Sequence, residues 1–469
     1  MNLNDPIWNK LKGESLFLTL NGMIFFLFLA LGGEFSVLMP SSDVSSLEKR
    51  TLTPFPQFSW DNLLMGHYTD SLDLHYSDNF PFRDGWVEWT ARLKDNFGYR
   101  PNDLRLYTIN NEFAALDEGL NKDTFKVKTI DTLKTGTAAD TTKKPLYSPG
   151  TIMIYNGMAI QIFTGSKTRA EAFAGMVNRY REQLHDSVRV FCMVAPTATD
   201  FHLPMEEKQA RNLERPMIQH IHEYLDSGIQ AVDAYEEIER NISDYLYFRT
   251  DHHWTGRGAY HAYRAFCRTA GLEPADLTAF KRRVRRNYLG SLYGITKDVR
   301  LKDHQDSVES FRLPIATTLY RFPDPQLMDS VRANLFAETP NYTTFLGGDY
   351  PLIRIEADNG STRNALVIKD SYGNAVCPFL AMHYRSVYVI DYRTFEKNIL
   401  SFIQVNRIHD LIFIHNTFAA NAEFTAKKET YLLYAKAYRR QPAETDTTSV
   451  QGTEPRIEGN RELPPKQKP

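Results

Sequence analysis

The sequence predicts an α/β fold of three layers, with a mainly parallel sheet between helices, a β-rich insertion and an N-terminal transmembrane helix. Three observations lead there. Short apolar runs rich in Val, Ile and Leu recur along the second half of the chain, without the alternation of a half-exposed strand. One stretch, 282–356, breaks that rhythm with short segments suited to antiparallel pairing. An almost uninterrupted apolar run, Leu16 to Gly33, stands ahead of everything else.

That first run has Thr19 and Asn21 as its only clearly polar interruptions, and about 18 residues is near the lower limit for crossing a bilayer. Lys10 and Lys12 precede it, while Glu34 and Asp43 follow, so the positive-inside rule puts the short N-terminus in the cytoplasm and the rest outside. Ala30, Gly32 and Gly33 would also suit signal-peptide cleavage; the run is longer than the usual 7–15-residue core of a signal peptide, and a retained anchor is expected. The expected location is a single-pass protein of the cytoplasmic membrane with its main domain periplasmic or extracellular.

Residues 1–40 thus read as cytoplasmic stub and anchor, and 41–150 as a tether followed by a helical region. Leu63, Leu64, Tyr68, Leu72 and Tyr76 mark one helix, which stops near Asn79-Phe80-Pro81, and Trp86, Trp89 and Leu93 mark a second. Thr129 to Lys144 reads as a surface loop. The main domain is expected over 151–440. It holds a helix over Ala170–Leu184 and strands at Val188–Ala195, Ile229–Asp233, Ala365–Lys369, Ser386–Asp391 and Asp410–His415, with 282–356 as insertion or lid. From Gln441 the composition turns to Pro, Glu, Thr and Gln, predicting a disordered tail over 441–469.

The net charge of −2 argues against a nucleic-acid partner. Cys192, Cys267 and Cys377 lie in apolar runs with no CxxC spacing, which excludes a disulfide scaffold and leaves open three buried thiols or one bridge plus a free thiol. No cofactor is called for.

Chemistry concentrates in two places. In Thr250-Asp-His-His-Trp-Thr255, Thr255 is suited to cap a helix running through Tyr260, Tyr263 and Phe266. If the residues before it are extended, Asp251 and His253 face one way and His252 the other, giving an acid-oriented histidine suited to be a general base. The same residues could simply cap a turn. In Ala365-Leu-Val-Ile-Lys-Asp-Ser371, a serine sits just past a buried strand, at the edge where α/β sheets hold ligands. Its own N–H and a following helix dipole could stabilise an oxyanion. Tyr372, Arg393 and Asn416, also after strands, are further oxyanion or substrate-binding candidates. A metal site from Asp251, His252, His253 and His261 is disfavoured, because adjacent histidines on extended backbone do not readily share an ion. Ser291, in Gly-Ser-Leu-Tyr-Gly, lacks the nucleophile-elbow pattern.

The set Asp251-His-His-Trp254, Phe345-Leu-Gly-Gly-Asp-Tyr-Pro351, Lys369-Asp-Ser-Tyr-Gly-Asn374, Pro378–Tyr384 and Ile390-Asp-Tyr-Arg393, with Asn79-Phe-Pro-Phe-Arg-Asp84 upstream, resembles the bacterial DHHW protein family. That family is similar to the SGNH-hydrolase-like domains of alginate O-acetyltransferases, where an Asp-x-His pair precedes the serine. The resemblance implies an SGNH-like fold with Ser371 as nucleophile, His253 as base, Asp251 as its orienting acid and Asn416 as oxyanion-hole asparagine. Lys369 stands where the Gly-Asp-Ser motif has glycine, and Arg393 where another motif has one. The implied function is a serine-dependent O-acyltransferase or esterase on cell-envelope or secreted polysaccharide, with a membrane-bound partner supplying the acyl group. The alternative is a catalytically inactive polysaccharide-binding or assembly protein of the same fold.

Overall fold

The computed structural model describes residues 19–27, 44–45, 50–51, 53–80, several positions between 82 and 93, 105–109, 127–130, and 150–439 except 205–213, 325, 327 and 328. Residues 19–27 are helical, and among the described residues no helix is long and apolar enough to cross a membrane. The rest of the Leu16–Gly33 run, most of the 129–144 loop and the 441–469 tail lie outside the described residues.

The N-terminal helical region holds helices Trp60–Leu64 and His67–Asn79, parted at Gly66, whose φ of 83° is cheap only for glycine. Then come β1 (Arg105–Ile109), β2 (Val127–Ile130), β3 (Thr151–Tyr155) and β4 (Met158–Gln161), a four-stranded antiparallel sheet in the order β2-β1-β3-β4. This sheet crosses the boundary expected at residue 150, because β1 pairs directly with β3.

The main sheet has eight strands. In chain order they are β5 (Arg189–Ala195), β6 (Ile229–Val232), β9 (Thr317–Phe322), β10 (Val331–Ala333), β11 (Leu352–Ala357), β12 (Asn364–Lys369), β13 (Ser386–Asp391) and β14 (Asp410–Asn416). Their spatial order is β10-β9-β11-β13-β12-β14-β5-β6. The five strands from β13 to β6 are parallel, as the continuous apolar runs predict. The other three pair antiparallel, so the sheet is mixed. Much of the expected insertion is therefore sheet: β9–β11 extend it. The remainder includes a hairpin of β7 (Lys281–Tyr288) and β8 (Asp306–Arg312).

Both faces of the parallel strands are buried. Along β14, Leu411 and Phe413 enter one apolar cluster and Ile412 and Ile414 the other. The first face carries α1 (Lys167–Gln183), α2 (Glu214–Tyr224), α7 (Ile399–Val405) and α8 (Glu423–Leu432). The second carries α3 (Ala234–Arg240), α4 (Gly256–Ala270) and α6 (Gly373–Leu380), while α5 (Ser291–Thr296) packs against the four-stranded sheet. Each fully buried aliphatic or Phe side chain contributes about 1.5–3 kcal/mol, so this double-faced core carries most of the stability. All three cysteines are buried free thiols.

One charged group is set into the amino-terminal edge of the sheet. The fully buried Asp410 carboxylate accepts from Arg189 Nε (2.8 Å) and NH2 (2.9 Å), Arg363 NH2 (2.7 Å) and Tyr384 Oη (2.6 Å). Burial alone would raise its pKa, but these donors outweigh burial and hold it below the ordinary carboxylate value. A depressed native pKa stabilises the fold at neutral pH, and that contribution is lost as pH falls through it. Asp410→Asn is expected to cost about 3 kcal/mol at pH 7 by urea denaturation, with the gap from wild type closing as pH drops below about 4.

Candidate active site

Residues 246–255 fold back on themselves. Tyr247 and Trp254 form an antiparallel bridge, Phe248 N donates to His253 O (3.2 Å), and Thr255 N donates to Leu246 O (2.8 Å). Thr255 then caps α4 by accepting from Gly258 N, as its position in the sequence predicts. The buried carboxylate of Asp306 on β8 fixes the tip, accepting from Arg249 N and Thr250 N, both at 2.8 Å. Burial raises the Asp306 pKa despite these donors.

Within this tip the chain bends rather than extends. Asp251 Oδ1 accepts from the backbone N–H of His253 (3.1 Å), an Asx turn, and also from His253 Nδ1 (2.5 Å). Its Oδ2 accepts from Tyr288 Oη (2.6 Å) and Ser291 N (2.7 Å). Burial first, and then the Asp251 charge, push the Tyr288 pKa far above its ordinary value, so this phenol stays a donor. A carboxylate on Nδ1 fixes the proton there and leaves Nε2 as an acceptor. Nε2 lies 2.7 Å from Ser371 Oγ.

The expectation that His252 points away is corrected by this bend. Its ring lies beside that of His253, with centroids 3.8 Å apart, and its Nδ1 is 2.7 Å from Ser291 Oγ. Tyr342 stacks on the other side of His253 at 3.7 Å and 10°. The imidazole is thus held between two rings. Asp251, His252 and His253 offer ligand atoms within 4.8 Å of one another, but both nitrogens of His253 are already engaged by Asp251 and Ser371. His261 sits elsewhere on α4, 3.7 Å from Glu237 and 3.8 Å from Asp244.

Ser371 occupies the turn between β12 and α6. Asp370 before it accepts from Tyr372 N (2.8 Å) and Asn416 N (2.6 Å), joining the turn to the end of β14. Tyr342 Oη donates to Ser371 O (3.0 Å), and Trp254 Nε1 donates to Tyr372 O (3.1 Å). Lys369 is fully buried, with Nζ 2.6 Å from Asp349 Oδ1 and 2.8 Å from Asp391 Oδ2. Burial would lower the Lys369 pKa, but the two carboxylates reverse that and hold it above its ordinary value. Asn374 Nδ2 donates to the same Asp349 oxygen (2.7 Å).

Two expected substrate-contacting residues have other work. Arg393 is a bidentate partner of Asp391 (2.7 and 2.5 Å) and lies 3.0 Å from Asp349, completing the cluster with Lys369. Tyr372 is 1% exposed, and its hydroxyl donates to His252 O, tying the serine turn to the histidine loop. Asn416 does lie at the strand end beside Asp370. Its Oδ1 accepts from Ala419 N (3.0 Å), which fixes the orientation of the amide. His415 points to the opposite face, 2.6 Å from buried Glu429.

Four supporting residues escaped the reading of the sequence as site residues: Tyr288, Asp306, Tyr342 and Asp349. All come from the segment read as an insertion. Asp349 lay inside a motif already marked, and a buried lysine before the serine was the signal that an acid must accompany it.

The model of the DHHW protein family matches residues 48–127 and 123–390. The chain belongs to the DHHW protein family. It is similar to the crystal structure of a DHHW family protein from Eubacterium siraeum, at 30% identity over 62% of this chain and 96% of that one, with a TM-score of 0.56. Bacillus cereus PatB1, solved with a sulfonyl adduct, is 20% identical over 58% of this chain and 98% of its own, with a TM-score of 0.48. The O-acetyltransferase domain of Pseudomonas putida AlgJ is 13% identical over 56% and 90%, with a TM-score of 0.33. No curated protein matches the chain.

For this DHHW chain, the short Asp251–His253 contact gives a test independent of any reaction. A Cβ on Gly290 would stand 2.2 Å from Asp251 Cβ, so Gly290→Ala must displace the carboxylate. The wild type is expected to show an imidazole N–H proton resonance far downfield of the amides, and Gly290→Ala and Asp251→Ala are expected to lose it. Persistence of the signal in Asp251→Ala would rule out the assignment.

Proposed function

We propose that this DHHW protein is an extracytoplasmic serine-dependent acyltransferase or esterase acting on polysaccharide. The observation that carries the reading is the unbroken chain Ser371 Oγ–His253 Nε2 (2.7 Å) and His253 Nδ1–Asp251 Oδ1 (2.5 Å), held in a buried setting at the carboxyl edge of the sheet. Ser371 Oγ attacks the acyl carbonyl while His253 Nε2 takes its proton, and Asp251 stabilises the resulting imidazolium. The tetrahedral oxyanion is stabilised by the Asn416 amide and the Ser371 N–H. Collapse breaks the bond to the leaving oxygen, which takes the proton from His253, and leaves the acyl group on Ser371 Oγ. A sugar hydroxyl or water, deprotonated by the same histidine, then releases it.

Polysaccharide is proposed as substrate because the order Asp251-x-His253 before Ser371 resembles that of the alginate O-acetyltransferase domains. The acyl donor is proposed to come from a membrane-bound partner on the same ground. The location outside the cytoplasm is supported by the lysines ahead of the Leu16–Gly33 run.

An aryl sulfonyl fluoride should label the wild-type chain on Ser371, read by intact-protein mass and peptide mapping. Ser371→Ala should not label, and His253→Ala should label at least about a thousandfold more slowly. With an aryl acetate, Asn416→Ala should lower kcat by about a hundredfold with little change in KM. A wild-type chain that folds but never labels would sink the enzyme reading in favour of a binding or assembly role.

A further inference from the structure

The antiparallel extension leaves part of one sheet face without a helix. Leu352 of β11 enters the core beside α7 and α8, but the next two residues on that face are Arg354 and Glu356. Arg354 lies in register between Tyr320 of β9 and Tyr388 of β13, its guanidinium 4.5 Å from the Tyr320 ring centroid. Here a groove of about 910 Å³ opens at the amino-terminal ends of β12 and β13, the sheet edge opposite Ser371.

Three arginines line it, Arg354, Arg385 and Arg407, together with the acids Glu356 and Asp358. Arg385 and Arg407 are exposed, and neither pairs with a carboxylate among the described residues. Two buried polar atoms of the lining have no hydrogen-bond partner among the described residues: the donor Arg354 Nε and the acceptor Asn364 Oδ1. Glu356 Oε1 stands 3.3 Å from Arg354 Nε, close enough to pair in charge without a hydrogen bond. Both atoms are closed to solvent in this conformation, so they mark incomplete polar pairing beneath the groove rather than contacts offered to a ligand.

We propose that this groove is a second binding site, for an acidic saccharide, separate from the Ser371 centre. A sugar hydroxyl both donates and accepts, so hydroxyls in the groove can pair with its exposed charged groups. A uronate carboxylate matches the planar forks of Arg385 and Arg407. Tyr388 also lines the groove, its ring packed edge-to-face with Phe402. Glu356 and Asp358 accept from further hydroxyls, of which a sugar offers several and phosphate at neutral pH only one or two. Because the groove opens on the far edge of the sheet, it holds a polymer without presenting an acyl group to the serine, and its occupancy does not depend on the chemistry proposed for Ser371.

The test uses the full chain carrying Ser371→Ala, titrated calorimetrically with hexagalacturonate, maltohexaose and inorganic phosphate. The acidic hexamer should bind, more weakly as NaCl is raised, and maltohexaose should bind at least about tenfold more weakly. Adding Arg385→Ala and Arg407→Ala should raise Kd for the acidic hexamer about tenfold or more with an unchanged Tm. In the serine-bearing background the same pair should leave sulfonyl labelling intact. Absence of hexamer binding, equal binding by the arginine variant, or phosphate binding as tight as the hexamer would each overturn the site. Hexamer binding through the arginines by a chain that never labels at Ser371 would uphold the groove while removing the enzyme.

Discussion

A carboxylate withdrawn from water costs several kcal/mol unless hydrogen bonds replace its hydration, and at Asp251 that requirement organises the histidine loop. The side chain is 3% exposed and takes four donors: His253 N, His253 Nδ1, Tyr288 Oη and Ser291 N. Two of them arrive from the end of β7 and the start of α5, so the chain over 288–291 has to wrap the loop tip. Gly290 makes that approach feasible, since any side chain there would overlap Asp251. Asp306 repeats the arrangement one step back, with its carboxylate gripping the backbone at Arg249 and Thr250. Once these two acids are satisfied, the His253 ring has little freedom, and Tyr342 and His252 on its faces remove more.

The serine side is ordered by charge balance. Lys369 and Arg393 meet Asp349 and Asp391, two cations with two anions, so the cluster closes on itself. Removing one member would leave an unpaired charge under the serine turn, a far larger penalty than the net value of the intact set. The hexapeptide Lys369–Asn374 has a task at each position. Lys369 anchors the cluster and Asp370 joins two strand ends. Ser371 meets His253, Tyr372 ties to His252 O, and Asn374 returns to Asp349. Gly373 is required because a Cβ would fall 2.5 Å from Lys369 Cβ. The lysine in place of a glycine before Asp-Ser is therefore matched by a glycine two residues after the serine.

The parallel half of the sheet was legible because strands buried on both faces are apolar along their length, as Val190–Ala195, Ala365–Ile368 and Leu411–Ile414 are between their polar ends. The extension was not, since Thr317–Phe322 and Leu352–Ala357 mix charged and apolar side chains on faces only partly covered. Asp251, His253 and Ser371 were readable from spacing and strand ends. An Asx turn, not extended backbone, brings Asp251 and His253 together, and it also swings His252 inward. Arg393 and Tyr372 carry internal partners that the sequence did not show, for one physical cause. A polar side chain after a strand looks free in sequence, and only tertiary structure reveals the buried carboxylate or carbonyl that claims it.

These constraints bear on what the proposed acyl-enzyme would experience. Ser371 is 6% and His253 7% exposed, so few water molecules reach the reacting atoms in this conformation. An acyl group held on Ser371 partitions between water and a sugar hydroxyl according to which is positioned beside His253 Nε2. Tyr342 covers one face of His253 and the 288–291 turn holds Asp251 and His252, so the base keeps one position while an acceptor is bound. Under the transfer reading proposed above, the rigidity that the two buried acids impose on His253 holds the base in one place for an incoming hydroxyl. Hydrolysis needs only an open approach for solvent, whereas transfer needs the base fixed where one particular hydroxyl will arrive.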